Sequence, residues 1–430
     1  MDNYNSKHEN VVLQQIDEVY RKARWTNQFS SMATLPKHLQ DELNNKNNLH
    51  IGYQISGTPI QNDIPPTNNA LSKMDTSISK SNGPIIEHSL MERRRQLLLQ
   101  KPKWHAPWRL TKIINGHLGW VRCVAIDPVQ NEWFVTGSND TTIKVWDMLT
   151  GKLKITLAGH AMSVRGVAVS ERHPYMFSAS EDKLVKCWDL EKNTAIRDYY
   201  GHHSGVHTVS IHPTVDLIAT AGRDSVVKLW DIRTKEAVTT LVGHKGPINK
   251  VECLPVDPQI VSCSTDATVI LWDLVAGKSM KVLTHHKRNV RSISVHPKEF
   301  SFASASTDDI RSWRLPEGSL LTNFVSQSTG IINTLSINED DVLFSGSDDG
   351  KLSFYDYKSG HLYQSLVTKP AKGSLSSERG ILTSTFDKSG FTLITGETDK
   401  SIKIWKQSNT ATPTEDPGLP WNPMSSSQRF

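Results

Sequence analysis

A His, a Ser or Thr, an Asp and a Trp recur together five times in the sequence, at nearly constant spacing. In each set the hydroxyl residue stands four positions before the Asp, and the His stands 22 or 23 positions before the same Asp. The five sets are His117–Thr136–Asp140–Trp146, His160–Ser178–Asp182–Trp188, His202–Thr220–Asp224–Trp230, His244–Ser262–Asp266–Trp272 and His286–Ser304–Asp308–Trp313. A hydroxyl, an imidazole and a carboxylate are also the parts of a nucleophilic triad. The pattern therefore raises the question of catalysis.

Catalysis is the weaker interpretation of these sets. A triad needs an exposed nucleophile, an oxyanion hole and a substrate pocket, and no reaction requires five copies. The chain also contains no GxSxG nucleophile elbow. In a structural network the Asp holds turn amides and the His ring, the His bonds to the hydroxyl, and the hydroxyl accepts from the indole, so that every buried polar group is satisfied. We therefore predict that the protein is not an enzyme and that these residues form a structural network.

The same positions mark a repeat that begins after Trp108. Successive Trp-equivalent residues are separated by 42, 42, 42, 41, 42 and 50 positions, and a Gly-His pair keeps step in the first four repeats. The Trp-equivalent residues are Trp146, Trp188, Trp230, Trp272, Trp313, Tyr355 and Trp405. A period of about 40 to 45 residues with these marks is typical of the WD40 β-propeller, which has four strands in each blade. The sequence predicts an all-β fold, a seven-bladed WD40 β-propeller.

The chain divides into three predicted regions. They are an N-terminal extension at 1–104, the propeller at 105–407 and an irregular C-terminal tail at 408–430. The extension is rich in Asn, Ser and Pro, so we expect it to be mostly disordered with short helices. No strand pattern follows the seventh Trp phrase, so residues 109–114 are expected to supply the missing outer strand and close the last blade.

The last two repeats depart from the pattern. Gln327 and Ser377 stand in the His position of the sixth and seventh repeats, and Tyr355 replaces Trp in the sixth. We expect these two blades to depend more on apolar packing than the others, and to be the least rigid.

Composition limits the other classes of function. The formal net charge is +5, which is compatible with an acidic partner or RNA nearby but proves neither. The four cysteines lie in β-like runs without a CxxC pair, and no phosphate-binding glycine loop is present. Adjacent histidines point apart on a strand, and no apolar run is long enough to span a membrane. We predict no cofactor, no metal, no membrane association and no small-molecule substrate.

Residues that the repeat does not require are the candidates for partner binding. Polar side chains recur five positions after each His, and further candidates lie in loops on the same predicted face, among them the long loop at 369–380. The partner-binding candidates are Trp120, Arg122, Arg165, Arg223, Arg291 and Arg379. Exposed aromatic and guanidinium groups make good anchors. A solvated lining of the central channel is the alternative interpretation for the residues that follow each His.

The segment WHAPWRLTKIINGHLGWVRCVA at 104–125 makes a specific family resemblance visible. With RDSVVKLWDIRTK at 223–235, GIINTLSIN at 330–338, SLSSERGI at 374–381 and the terminal Arg429-Phe430, it resembles the pleiotropic regulator family of spliceosomal WD-repeat proteins. The likeness is to a fungal-type member and covers the propeller and the tail, roughly three-quarters of the chain.

The resemblance implies a non-catalytic scaffold that acts in pre-mRNA splicing, in the nucleus, as part of or beside the nineteen complex. It implies spliceosomal protein partners, including the Myb-domain component of that complex, with small nuclear RNA or pre-mRNA nearby. The WDIR tetrapeptide at 230–233 leaves one alternative, a substrate receptor of a cullin-type ubiquitin ligase.

Overall fold

A computed structural model describes residues 101–324 and 330–421. These residues form seven four-stranded antiparallel sheets, and no helix occurs among them. No helix in this part of the chain therefore has the length and apolar character that a membrane span requires. The predicted extension up to residue 100, the tail beyond 421 and Gln327 lie outside the described residues.

Each of the first four sheets is built from four strands that follow one another along the chain. Within a sheet the strands are ordered from the innermost strand outwards. They are β2 (Val121–Ile126), β3 (Trp133–Ser138), β4 (Ile143–Asp147) and β5 (Leu153–Leu157); β6 (Val164–Val169), β7 (Tyr175–Ser180), β8 (Val185–Asp189) and β9 (Thr194–Tyr199); β10 (Val206–Ile211), β11 (Leu217–Gly222), β12 (Val226–Asp231) and β13 (Ala237–Val242); and β14 (Ile248–Cys253), β15 (Ile260–Ser264), β16 (Val269–Asp273) and β17 (Lys278–Leu283).

The remaining three sheets repeat this order until the last one, which takes its outer strand from the start of the propeller. They are β18 (Val290–Val295), β19 (Ser301–Ser306), β20 (Ile310–Arg314) and β21 (Ser319–Phe324); β22 (Ile332–Ile337), β23 (Val342–Ser347), β24 (Lys351–Asp356) and β25 (Leu362–Val367); and β26 (Ile381–Phe386), β27 (Thr392–Glu397), β28 (Ser401–Gln407) and β1 (Trp108–Asn115). The prediction of a seven-bladed propeller is confirmed.

The ring closes through β1, which pairs antiparallel with β28 from Trp108 opposite Gln407 to Asn115 opposite Ser401. The innermost strand of every sheet contacts the innermost strands of its two neighbours, and β26 contacts β2 in the same way. Pairing β1 with β28 places the first strand of the propeller in the last sheet, and it covers an edge that would otherwise be open to aggregation.

The apolar core lies between neighbouring blades rather than inside one blade. Seven clusters of buried side chains occupy the seven interfaces, and each draws on two adjacent sheets. Between the second and third sheets, for example, Phe177 packs in one cluster with Val206 and Trp230. Truncating such a buried aromatic side chain to Ala costs about 3–5 kcal/mol.

The turn that follows the third strand of a blade explains the Asp of the Trp-Asp pair. Asp147 Oδ1 accepts a hydrogen bond from the backbone amide of Leu149 at 3.0 Å, and its Oδ2 accepts from the hydroxyl of Thr150 at 2.9 Å. This short-range bonding is typical of Asp in turns. The Asp of the pair therefore stabilises the hairpin and is separate from the network Asp four positions after the hydroxyl.

Candidate functional site

In each of the first four blades the His, hydroxyl, Asp and Trp side chains form one continuous hydrogen-bonded network. The distances from His Nδ1 to Asp Oδ2 are 2.9, 2.7, 2.6 and 3.1 Å for His117, His160, His202 and His244. Their Nε2 atoms lie 2.7, 2.7, 2.8 and 2.7 Å from the hydroxyls of Thr136, Ser178, Thr220 and Ser262. The indole Nε1 groups of Trp146, Trp188, Trp230 and Trp272 donate to those hydroxyls at 2.7 to 2.8 Å.

The direction of each bond follows from the indole, which can only donate. When Trp146 donates to the oxygen of Thr136, that hydroxyl can donate to Nε2 of His117, whose Nδ1–H then donates to Asp140. A neutral imidazole therefore satisfies all its partners. The four network hydroxyls are each 0% exposed, so that no substrate could reach them. This arrangement stabilises a blade and lacks the accessible nucleophile of a triad.

The network also fixes the charge of the four Asp residues. Burial by itself raises the pKa of Asp140, but hydrogen bonds from His117, Thr142 and the Leu118 amide outweigh burial and bring the pKa below its ordinary value. The same competition, with the His as a donor in each case, lowers the pKa of Asp182, Asp224 and Asp266. The four carboxylates therefore accept hydrogen bonds as anions at neutral pH.

Three of these Asp residues, Asp140, Asp182 and Asp266, also hold a strained turn between the second and third strands by accepting from the backbone amide two residues on. Thr141 follows Asp140 with φ of 68°, and Asp140 Oδ1 accepts from the amide of Thr142 at 3.0 Å. The positive φ recurs at the matching positions, Lys183, Ser225 and Ala267. A side chain other than glycine is disfavoured in this region, so the carboxylate stabilises a backbone conformation that the sequence alone does not favour.

The fifth predicted set is incomplete, and this corrects the sequence analysis. His286 Nε2 lies 2.7 Å from the hydroxyl of Ser304, to which Trp313 also donates, but Asp308 pairs with Arg288 instead of His286. Nδ1 of His286 has no hydrogen-bond partner in the described part of the chain. The turn is also shorter here: hydroxyl and Trp are nine residues apart, against ten in the first four blades, so Asp308 follows Ser304 at the usual distance but is placed differently.

In the seventh blade a Lys of the third strand, rather than a His, approaches the turn Asp. The Nζ atom of Lys403 donates to Glu397 at 2.5 Å, to Thr368 at 2.6 Å and to the backbone oxygen of Lys369, and it lies 3.4 Å from Asp399. The side chains of Lys403, Glu397 and Asp399 are all 0% exposed. Burial raises the pKa of Glu397 above its ordinary value, although the Lys403 ammonium opposes that shift.

This buried charge cluster corrects two expectations. Ser377 is exposed and does not fill the His position, and the blade has a charged interior where more apolar packing was expected. Trp405 still donates to Thr395, at 3.0 Å. Sequence analysis missed the cluster, although Glu397 was a usable signal, because small residues stand at the matching position of the other blades.

The residues that follow each His by five positions lie on a recurring β-bulge. The pairing register of every innermost strand shifts between its first and third residues, which leaves the second residue unpaired with the neighbouring strand. The second residues are Arg122, Arg165, His207, Asn249, Arg291, Asn333 and Leu382. A bulge re-aims its side chain. This explains why polar residues recur there without belonging to the blade network.

Several of these side chains hold the next blade in place. Nδ1 of His207 lies 3.0 Å from the backbone oxygen of Ile248, and Asn249 Nδ2 donates to the oxygen of Val290 at 2.6 Å. Arg291 donates to Asn333 at 2.8 Å. The bulge therefore contributes to the contact between blades, so that for His207, Asn249 and Arg291 a structural task is evident.

The other partner-binding candidates occupy the face that carries the inter-blade connections and the turns between second and third strands, here called the top face. Trp120 is 40% exposed, and the guanidinium carbon of Arg122 lies 5.1 Å from its ring centroid. Arg165 forms an ion pair with Glu181, and Arg223 is exposed. Arg379 is exposed in the long connection before β26, between the sixth and seventh blades.

Two further sets of chemistry-bearing groups among the described residues are inert or already occupied. Burial raises the pKa of Cys123, Cys253 and Cys263 to about 12, which disfavours the reactive thiolate. His296, Glu299 and Asp341 lie close enough to share an ion, but Lys358 Nζ already contacts Glu299 at 3.0 Å and Asp341 at 3.1 Å. Its ammonium supplies the positive charge that these carboxylates require.

Comparison with known protein families agrees with the architecture. Residues 108–147 and 151–189 match the family described as WD domain, G-beta repeat. Residues 194–341 match the family described as nucleolar protein 10-like, N-terminal domain. Both matches fall on the propeller strands.

Comparison with individual proteins extends the likeness to the whole chain. The chain is 69% identical to pre-mRNA-splicing factor PRP46 of Saccharomyces cerevisiae, over 100% of both proteins. It is 65% identical to the protein of that name in Kluyveromyces lactis, over 96% of the chain and 97% of the relative. It is 58% identical to human pleiotropic regulator 1, over 81% of the chain and 67% of the relative. The chain therefore belongs to the family of WD-repeat proteins that includes pre-mRNA-splicing factor PRP46 and pleiotropic regulator 1.

Proposed function

We propose that the chain acts in pre-mRNA splicing as a non-catalytic scaffold that holds spliceosomal proteins together. The observation that carries this proposal is the 69% identity, over the full length of both chains, to a relative named as a pre-mRNA-splicing factor. The proposal places the chain in the nucleus, as part of or beside the nineteen complex, because pre-mRNA is spliced there.

The buried networks support the non-catalytic part of the proposal. The hydroxyl, imidazole and carboxylate groups that could have formed a triad are used to join strands, and the hydroxyls are fully buried. A rigid ring with polar loops on its faces is suited to binding several partners at once. A fold of this kind does not by itself assign a function, so the splicing role depends on the family.

We assign the binding of protein partners to the top face. Trp120, Arg122, Arg165, Arg223, Arg291 and Arg379 lie in loops or at bulges of that face. The partners proposed are spliceosomal proteins, among them a Myb-domain component of the nineteen complex, with small nuclear RNA or pre-mRNA nearby. Interface anchors are enriched in Trp and Arg, which fits this set.

Depletion of the protein tests the splicing role. We expect unspliced introns to accumulate after depletion, and the full-length chain to restore splicing when it is supplied again. Normal splicing after complete depletion would overturn the proposal. Affinity purification of the tagged chain is expected to recover spliceosomal proteins and small nuclear RNAs, whereas recovery of a cullin adaptor in their place would favour a ubiquitin-ligase receptor.

A further inference from the structure

Three basic residues, a His and one carboxylate lie at the top of blades one to three. Arg122, Arg165 and His207 occupy the bulges of β2, β6 and β10, which neighbour one another around the channel. Arg223 lies in the turn after β11, and its charge acts on His207. Glu181, in the turn after β7, pairs with Arg165, and its charge also acts on Arg122 and His207. We call these five residues the arginine cluster.

The arginine cluster carries more positive charge than its own carboxylate can neutralise. Glu181 is already bound by Arg165, and both side chains are about one-third exposed, at 32% and 31%. Nε of Arg122 is buried and has no hydrogen-bond partner among the residues that the structure describes. Burial lowers the pKa of Arg122, and the neighbouring charge of Arg165 lowers it further. A second anion at this point would relieve both the repulsion and the unsatisfied donor.

Exposed apolar side chains lie beside the arginine cluster. Trp120 precedes β2 and is 40% exposed, with the Arg122 guanidinium against its ring. Leu118 in the same connection is 83% exposed, and Met162 in the matching connection before β6 is 50% exposed. Solvent-exposed apolar groups next to unneutralised charge are typical of a surface that another molecule covers.

We propose that the arginine cluster, with Trp120 and Met162, is a docking site for an acidic peptide segment of a protein partner. One carboxylate of the segment would bind the unsatisfied Arg122 guanidinium, and a neighbouring apolar side chain would pack on Trp120. This inference rests on the proposed scaffold function and adds to it the chemistry of one partner. Guanidinium groups favour carboxylates because their planar donors match the two oxygens.

The surroundings favour a peptide over a nucleic acid. A nucleic-acid strand requires a track of unpaired cations along its phosphates. In the arginine cluster Glu181 stands among the cations and would repel each phosphate placed near it, and the flanking Leu118 and Met162 offer nothing to a sugar-phosphate backbone. A peptide can place a single carboxylate in the cluster and use the apolar side chains around it.

Selection of peptides on the purified full-length chain tests the inference. A displayed random-peptide library is expected to yield segments that combine Asp or Glu with a large apolar residue. Binding of a labelled selected peptide should weaken as salt is added, and it should quench or shift the fluorescence of the chain's Trp residues. Replacing Arg122 with Gln should weaken binding by about tenfold or more, because a charge-assisted contact is lost.

The control variant is Arg288→Gln, which removes an exposed guanidinium from the fifth blade, away from the arginine cluster. It should leave peptide affinity unchanged, and the melting temperatures of both variants should show that they fold. The inference would be overturned by selected peptides without acidic residues, by equal weakening in the two variants, or by no selection of peptides at all. A single-stranded RNA that binds the same residues more tightly than any peptide would also overturn it.

Failure of this inference is distinguishable from failure of the splicing role. The peptide measurements use the isolated chain and do not depend on splicing. If depletion causes introns to accumulate while no acidic peptide binds, the proposed function stands and this docking site is wrong. If acidic peptides bind while splicing is unaffected by depletion, the docking site stands and its partner belongs to another process.

Discussion

In blades one to four a buried His joins a hydroxyl to the turn Asp, whereas in blade seven a buried Lys of the third strand lies 3.4 Å from the turn Asp and donates to Thr368 and Glu397. Blade five keeps the His but not its link to the Asp, and its turn is one residue shorter. The indole of the blade Trp donates to a hydroxyl in all three arrangements.

The difference between these blades teaches that they share an indole that donates to a buried hydroxyl, whereas the group beside this pair can change. The hydroxyl, the indole and the turn carboxylate are buried by the packing of adjacent sheets, and a buried polar group without a partner costs about 1–3 kcal/mol. Any donor that reaches the site can meet this need. In blade seven the donor is an ammonium, so the carboxylate Glu397 must be buried beside it.

The largest effect is expected from breaking the charge cluster of blade seven. Lys403→Met would leave Glu397 and Asp399 buried without their cation, and removing one partner of a buried pair costs about 3–5 kcal/mol. Urea unfolding should show this loss, whereas Lys406→Met, an exposed Lys of the same strand β28, should change stability little. Equal effects of the two variants would contradict a stabilising role for the buried ion pairs of Lys403. Adding Glu397→Gln to Lys403→Met should recover part of the stability.

The next largest effect is expected in a complete network. Asp140→Ala would remove the acceptor of His117, Leu118 and Thr142 and leave Thr141 in its unfavourable backbone region without support. We expect a loss of about 1–3 kcal/mol in the free energy of unfolding. Chemical denaturation would measure it, and stability equal to that of the unchanged chain would show that the His network does not stabilise the blade.

The dependence of stability on pH distinguishes blade five. Burial lowers the pKa of His286 from 6.5 to about 3, and Arg311 and His285 act in the same direction. The unfolded chain therefore binds a proton at His286 more tightly than the folded chain does. The stability that depends on a neutral His286 is fully present above the unfolded pKa, and it is lost as the pH falls from 6.5 towards 3.

His286→Gln should therefore flatten the fall of stability in acid. Between about pH 7 and pH 5 the unchanged chain should lose about 1–2 kcal/mol more than the variant, since each unit of pKa difference corresponds to about 1.4 kcal/mol. Gln can still bond to Ser304, so the fold should persist. Unfolding curves at a series of pH values measure the difference, and parallel curves for the two proteins would contradict the assigned role of His286.

The smallest effect is expected in blade five, where Asp308 does not bond to the His. Asp308→Ala removes an exposed ion pair with Arg288, whose side chains are 56% and 67% exposed. Exposed pairs contribute about 0–1 kcal/mol, so we expect a change near the error of the measurement. A loss as large as that of Asp140→Ala would show that blade five forms the His–Asp link in solution, and the contrast between the blades would then fail.

The periodic part of the molecule could be predicted from the sequence. The spacing of Trp residues set the number of blades, and the confirmed family followed from WHAPW and the motifs inside the repeats. These features are local, because each repeat encodes its own strands, turns and interface residues. What the sequence did not indicate was where a repeat uses another group. Lys403 stands at the position of Lys144, which lies at the surface of blade one and bonds to the backbone of Gly116.

The candidate partner residues show the same limit. Their spacing placed Arg122, Arg165 and His207 five positions after each His, but only the structure shows that the three lie on a bulge beside Glu181. It also shows that His207 bonds to the following blade, so that this member of the set has a structural role.

The sequence by itself determined the repeat, its polar sets and the family, since these depend on residue types at fixed distances along the chain. The tertiary structure alone decided which sets are complete, which charged groups are buried in the last blade and which charges meet on the top face. Those features join residues from different repeats, and their energies depend on distance and burial in space, which a spacing along the chain does not contain.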